Sequence, residues 1–163
     1  MELKSRFDYK ALFVLMYFVG FIIYSVFMLK PVEAFGDVNS GELIIPSIRF
    51  ASDVATLSLE DGKLNTPDEI VGSYSNVSSK TLLIGHSSTV FQELHRVSDN
   101  DTIIYSGKLY TVSSISTLPK SEISMAKLLE SSPRDTLVIM TCAGELYDNG
   151  DASHRLIVFA VAN

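Results

Sequence analysis

Short apolar runs, separated by turn-forming residues, make up most of the chain after residue 42. Seven of these runs are rich in β-branched and aromatic residues and predict strands: 43–50, 54–60, 80–86, 101–106, 108–116, 136–142 and 155–161. Ser106 and Gly107 separate two of the runs by the two residues of a tight hairpin, and Asn100 suits a turn with positive φ. Because strands do not alternate with long helical patterns, we expect an all-β sandwich or barrel.

Two other segments carry short helical patterns. The first, 89–97, opens with Thr89 and Gln92 in the spacing of a capping box. The second, 121–130, ends shortly before Pro133. We therefore expect two short helices between the strands.

One apolar run is much longer than the others. Residues 11–29 contain no charged side chain over 19 positions, and a helix of that length spans roughly 28 Å, close to the hydrocarbon thickness of a bilayer. Three basic residues precede the run and one lysine follows it closely, which is typical of a cytoplasmic N-terminus. We therefore predict a cytoplasmic leader (1–10), a transmembrane signal anchor (11–29), a linker (30–42) and an extracellular domain (43–163).

A cleaved signal peptide is the alternative to a permanent anchor. Val32, Glu33 and Ala34 offer a suitable spacing of small residues for cleavage before Phe35. The apolar run is longer than the ~7–15 residues usual in a signal peptide, so the anchor is favoured. We expect a single-pass protein of the cell membrane in which residues 11–29 contact the lipid bilayer.

The charge of the chain excludes one class of partner. The net charge is −6 overall, and residues 31–163 hold nine basic and 17 acidic side chains, which gives −8. Nucleic-acid-binding domains carry a basic surface, so we expect no nucleic acid partner. Anionic lipid is also a poor partner for the body of this domain.

Cys142 is the only cysteine in the chain. An exported domain commonly uses disulfides, but a single thiol cannot form one within its own chain. Three alternatives follow: a small buried core residue, one half of an intermolecular disulfide, or a reactive nucleophile.

Two polar residues lie where they could act with this thiol. Cys142 ends one predicted strand and Arg155 begins the next, so antiparallel pairing would set them opposite each other. A guanidinium there could favour the thiolate and donate to a developing oxyanion. His86 ends another predicted strand and could be the acid or base. The three residues predict a nucleophilic acyl-transfer site; the alternative is a non-enzymatic binding barrel in which Cys142 is structural.

The remaining polar candidates carry weaker patterns. His95 is expected in solvent, and His154 is expected to point away from the face of its neighbour Arg155. We expect no cofactor, apart from one loop whose acidic residues could bind Ca²⁺ although they lack the spacing of an EF-hand. Those residues are Glu145, Asp148 and Asp151. A solvated turn is the other interpretation of this loop.

The chain contains five separated short motifs, in this order: IIPSI (44–48), GH (85–86), LHRVSDNDTII (94–104), TC (141–142) and SHR (153–155). In that order they resemble the sortases, a family of membrane-anchored cysteine transpeptidases. Each motif alone would be unspecific, but the resemblance carried by all five covers about residues 42–163. The family's T-L-x-T-C reads VIMTC here, so the first threonine and the leucine are replaced, and no subclass is assigned.

The resemblance implies both a fold and a set of roles. The fold would be a closed, mostly antiparallel β-barrel of about eight strands with short helices. Cys142 would attack the threonine carbonyl of an LPXTG-like sorting signal on a surface protein, beside the supporting residue Thr141. His86 would be the general acid and then the base, and Arg155 would hold substrate and stabilise the oxyanion. A peptidoglycan precursor would be the acceptor amine; a hydrolytic cysteine peptidase is the alternative activity.

Overall fold

The computed structural model describes residues 41–60, 63–77, 79–148 and 151–163. The predicted leader and anchor, and nearly all of the predicted linker, lie outside these residues, so their assignments stay predictions. In the part of the chain that is described, no helix is long and apolar enough to cross a membrane.

The described domain is built on a closed β-barrel. Its strands are β1 (Glu42–Ile45), β2 (Phe50–Thr56), β3 (Leu59–Glu60), β4 (Lys63–Leu64), β5 (Val71–Val77), β6 (Lys80–Ile84), β7 (Thr102–Tyr105), β8 (Lys108–Pro119), β9 (Thr136–Leu146) and β10 (Ala152–Ala162). Eight of them close in the order β1-β2-β5-β6-β9-β10-β8-β7, and β3 pairs only with β4. The β2–β5 and β6–β9 pairs are parallel and the other six barrel pairs are antiparallel. The predicted closed, mostly antiparallel barrel is therefore confirmed.

The central strands are apolar on both faces because each face packs against a different hydrophobic cluster. Leu83 of β6 and Ile139 of β9 belong to the main core, while Leu82 and Val138 belong to a second cluster. The second cluster is closed by residues from the segment between β8 and β9, among them Leu128. This arrangement explains why β6, β9 and β10 read as continuous apolar runs rather than as an alternating pattern.

The first predicted strand, 43–50, is in fact two strands joined by a sharp turn. A 3₁₀ helix, Pro46–Ile48, follows β1, and Arg49 adopts a left-handed conformation with φ of 54°. Proline fixes its own φ and lacks an N–H for the ladder, so it ends β1 and starts the helix. The chain then returns as β2, which pairs with β1. The second predicted run, 54–60, is likewise divided between β2 and β3.

Strand β5 was not predicted from the sequence. Its residues, VGSYSNV, include Gly, Ser and Asn, which are poor strand formers. The strand forms because it pairs with β2 on one side and β6 on the other. Gly72 also has a packing reason: a Cβ there would lie 2.5 Å from Leu57 Cδ1.

The two predicted helices are shorter than expected. Residues 89–97 form consecutive turns and a 3₁₀ helix, Leu94–Arg96. The capping box is wrong, because Thr89 Oγ1 donates to the main-chain oxygen of Asp68 at 2.5 Å and Gln92 Nε2 donates to the oxygen of Ser88. In the second segment, a 3₁₀ turn precedes a single-turn helix, α1 (Met125–Leu128).

The predicted turns are correct where they are described. Asn100 has φ of 69°, and Ser106 and Gly107 have φ of 48° and 74°. Two successive positive φ values are those of the tight hairpin turn that suits the twist of paired strands. This turn joins β7 to β8.

Candidate active site

Cys142 and Arg155 are opposite each other on neighbouring strands. β9 and β10 pair antiparallel, and the Cα partner of Cys142 is Arg155. Directly opposite residues project to the same face of a sheet, so the thiol and the guanidinium share one face. One expectation needs correction: β9 continues to Leu146 and β10 begins at Ala152, so Cys142 lies within a strand rather than at its end.

A buried hydrogen bond ties the histidine segment to the cysteine strand. β6 runs parallel to β9 and ends at Ile84, two residues before His86. Beyond the end of β6, Thr141 Oγ1 donates to the main-chain oxygen of Gly85 at 2.8 Å, and this bond is buried. Since Thr141 precedes Cys142 and Gly85 precedes His86, the bond ties the segment that contains Cys142 to the segment that contains His86.

The glycine before the histidine is required by close packing. A Cβ at Gly85 would lie 2.8 Å from Cδ2 of Phe91 and 3.3 Å from Cβ of Val90. Phe91 is itself almost fully buried, and its N–H donates to the main-chain oxygen of His86 at 2.9 Å. The turn after β6 is thereby folded back onto the core, which fixes the position from which His86 projects.

An acidic residue that sequence reasoning missed lies beside the histidine. Asp68 Oδ1 is 3.6 Å from His86 Nε2, and the side chains are 92% and 41% exposed. The main chain of Asp68 is held by the hydroxyl of Thr89. Asp68 precedes His86 by 18 residues in an irregular segment, so no sequence pattern brings the two together.

The guanidinium of Arg155 is held by the first residues of β10 and by the residue that precedes this strand. Its Nη1 donates to the main-chain oxygens of Ala152 and His154, each at 2.9 Å, and its Nη2 donates to Asp151 Oδ1 at 2.6 Å. Asp151 also forms an ion pair with Lys120. The hydrogen bond from Lys120, followed by that from Arg155, holds the pKa of the Asp151 carboxyl well below its usual value.

This pairing changes the interpretation of the acidic loop. Asp151 was a candidate calcium ligand, and its carboxylate is engaged with two cations. Across the described ranges, no group of three or more His, Cys, Asp or Glu side chains could hold a metal ion.

A cavity of about 840 Å³ joins the predicted site residues. His86, Thr141, Cys142 and Arg155 all line it. Its apolar wall is formed by side chains from β3, β4, β5, β6 and the segment around α1: Leu59, Leu64, Tyr74, Ile84, Met125 and Leu129. The thiol, the imidazole and the guanidinium therefore line one cavity together with apolar side chains. Sequence reasoning missed this wall.

The other two histidines are placed differently. His95 is exposed and its Nδ1 lies 2.9 Å from the main-chain oxygen of Gln92. His154 pairs with Ala143, its Nδ1 lies 2.8 Å from Ser153 Oγ, and it does not line the cavity. Of the three histidines, all of them described, only His86 lines the cavity that contains Cys142.

The sequence and the fold agree with one family of known proteins. The Sortase domain family model matches residues 43–163, which are 121 of the 163 residues of the chain. The chain belongs to the sortase family. Sortases are cysteine transpeptidases that act on the sorting signals of surface proteins and on amine acceptors. A search of curated protein sequences gives no match to this sortase.

Solved structures share the barrel of this sortase at low sequence identity. A lid mutant of sortase A from Corynebacterium diphtheriae is 24% identical with a TM-score of 0.57, covering 83% of this chain and 75% of its own. Sortase A from Listeria monocytogenes is 17% identical with a TM-score of 0.60, and the match covers 78% of this chain and 88% of the Listeria chain. Streptococcus agalactiae sortase C1 is 22% identical with a TM-score of 0.56, covering 76% and 66%. These likenesses support the fold of this sortase.

The bond between Thr141 and Gly85 can be tested by an isosteric substitution. We expect Thr141→Val to lower the free energy of unfolding by about 1–3 kcal/mol, because it leaves the buried oxygen of Gly85 without a donor. It should also slow turnover of a sorting-signal peptide, since the segment that carries His86 is no longer tied to β9. Chemical denaturation and peptide kinetics measure the two effects.

Thr136→Val is the matched control. Thr136 is buried at the other end of β9, where its hydroxyl bonds to Ser132 Oγ and the oxygen of Arg134, each at 2.9 Å. This variant should lose stability and keep turnover. Equal loss of turnover in both variants would show that the hydroxyl of Thr141 has no special connection to the site.

The contact between Asp68 and His86 should contribute little to catalysis. Exposed ion pairs contribute about 0.2–1 kcal/mol, so we expect Asp68→Asn to change kcat/KM by less than about fivefold. If Asp68→Asn reduced turnover as strongly as His86→Gln does, this expectation would be wrong. Asp68 would then be needed for catalysis together with Cys142 and His86.

Proposed function

We propose that this sortase cleaves an LPXTG-like C-terminal sorting signal and joins the released surface protein to a cell-wall amine. One observation carries the proposal: Arg155 is the strand partner of Cys142, and His86 lines the same cavity. A thiol, an acid–base group and a donor to the oxyanion are the parts used in acyl transfer by a cysteine, and a guanidinium can be that donor.

The first half of the reaction forms a thioester. The thiolate of Cys142 attacks the carbonyl carbon of the threonine in the signal, and the carbonyl oxygen becomes an oxyanion. Arg155 donates hydrogen bonds to that oxyanion and lowers the barrier. The bond between threonine and glycine then breaks, and His86 protonates the departing amine. The surface protein is left attached to Cys142 through its threonine.

The second half of the reaction transfers the acyl group. An amine of a peptidoglycan precursor attacks the thioester carbon, and His86 accepts the proton that the amine loses. The carbon–sulfur bond breaks, which releases the thiolate of Cys142 for another cycle. Water in place of the amine would give hydrolysis, so the identity of the acceptor separates a transpeptidase from a peptidase.

The apolar wall of the cavity suits the non-polar residues of such a signal. Leu64, Ile84 and Leu129 line the cavity together with Cys142, and burial of a leucine side chain from the substrate contributes about 1.5–3 kcal/mol. In the same proposal, residues 11–29 anchor the enzyme in the cell membrane, so that the catalytic domain meets its substrates outside the cell.

The proposed activity is tested by product analysis. We expect the full-length chain in detergent to cleave an LPXTG-like peptide after threonine and, with triglycine present, to give the ligated product in excess of the hydrolysed one. His86→Gln should reduce ligation by about 10²-fold or more, the range typical of lost acid–base catalysis. His95→Gln is the matched control and should leave the rate unchanged.

Two results would contradict the proposal. Cleavage that yields only the hydrolysed peptide at high triglycine concentration would identify a peptidase. Equal losses for His86→Gln and His95→Gln would remove His86 from the mechanism.

A further inference from the structure

The guanidinium of Arg155 has more donors than its protein partners use. A guanidinium carries five N–H groups, and three hydrogen bonds are formed to described residues: two from Nη1 to main-chain oxygens and one from Nη2 to Asp151. The Nε–H and the second hydrogen of Nη2 have no acceptor among these described residues. Because the side chain of Arg155 is only 14% exposed and lines the cavity, these two donors are available mainly to a bound substrate.

Asp151 is itself held firmly in place. Its Oδ1 accepts from the N–H of Ala152 at 2.9 Å, and its main-chain oxygen accepts from the N–H of Tyr147 at 2.8 Å. Its Oδ2 binds the ammonium of Lys120, which lies just after β8. The carboxylate therefore connects the loop before β10 to the segment after β8 and forms a rigid support for one edge of the guanidinium.

Lys120 also preserves the positive charge of the site. An arginine paired with one carboxylate would be neutral as a unit, and this pairing would weaken its Coulombic attraction for an oxyanion. With Lys120 on the same carboxylate, the cluster of Lys120, Asp151 and Arg155 contains two positive charges and one negative charge, so its net charge is +1. Asp151 can thus hold the guanidinium without removing its electrostatic effect.

We propose that Asp151 is a positioning residue of this active site, which orients Arg155 so that its two remaining donors meet the substrate's carbonyl oxygens. The inference rests on the proposed function for the identity of the substrate. The orientation itself is a property of the free protein. Asp151 has no bond to make or break in the reaction and acts only through Arg155.

The orientation can be tested without substrate. In NMR spectra of ¹⁵N-arginine-labelled protein, a guanidinium held by three hydrogen bonds should show slow rotation and resolved Nη resonances for Arg155. We expect Asp151→Asn to broaden or merge these resonances. Asp148→Asn makes the same chemical change at an exposed position of the same loop and should leave them unchanged.

The effect on the reaction is measured by two rates at Cys142. Asp151→Asn should slow acylation by an LPXTG-like peptide by roughly 10- to 100-fold, because misplacing a catalytic group by about 1 Å is worth up to about 10²-fold. Alkylation by iodoacetamide, which forms no oxyanion, should change less than about threefold. A general structural disturbance would lower both rates, and Asp148→Asn should lower neither.

The outcomes separate this inference from the proposed function. Unchanged Arg155 resonances in Asp151→Asn, or unchanged acylation, would overturn the positioning role even if the wild-type chain is an active transpeptidase. If the wild-type chain leaves every sorting-signal peptide intact while Asp151→Asn still frees the guanidinium, the proposed function fails and the orienting role of Asp151 stands.

Discussion

The register of β9 against its two neighbours is the constraint on which the site depends. On one side β9 pairs antiparallel with β10, which sets Cys142 opposite Arg155. On the other side it runs parallel to β6, and the bond from Thr141 to Gly85 extends this pairing past the end of β6. A slip of one residue would send the thiol to the opposite face. Because the two faces of β9 pack in different clusters, such a slip would also exchange residues between the clusters and disrupt the packing of both.

The part of the site that could be predicted from the sequence is the pairing of two neighbouring strands. Cys142 and Arg155 stand at the two sides of a short connection between apolar runs, so antiparallel pairing brings them together. His86 ends an apolar run, and the sequence does not indicate which strand pairs with that run. The assignment of His86 therefore depended on the resemblance of GH, TC and SHR to the sortases. The structure brings all three to one cavity. Their catalytic roles stay predictions that rest on chemistry.

The remaining parts depend on contacts between distant segments. Strand β5 has the composition of a loop and is a strand only because β2 and β6 lie beside it. Pro46 interrupts a run that otherwise looks like one strand. The turn at Arg49 then reverses the chain, so that β2 pairs with β1. Asp151 looked like a possible metal ligand within its own loop, and its cationic partner Lys120 lies 31 residues away along the chain. A local pattern contains none of this information.

The claim that Cys142 is the nucleophile is tested most directly by trapping the acyl-enzyme. The full-length chain is incubated with an LPXTG-like peptide without any amine, acidified, and analysed by intact mass and peptide mapping. We predict an added mass equal to the peptide fragment that ends at its threonine, less one water, attached at Cys142 and released by hydroxylamine. In Cys142→Ala the far-UV spectrum should be unchanged and the adduct missing. Two results would contradict the account: Cys142→Ala still cleaves the peptide, or Cys142→Ala fails to fold.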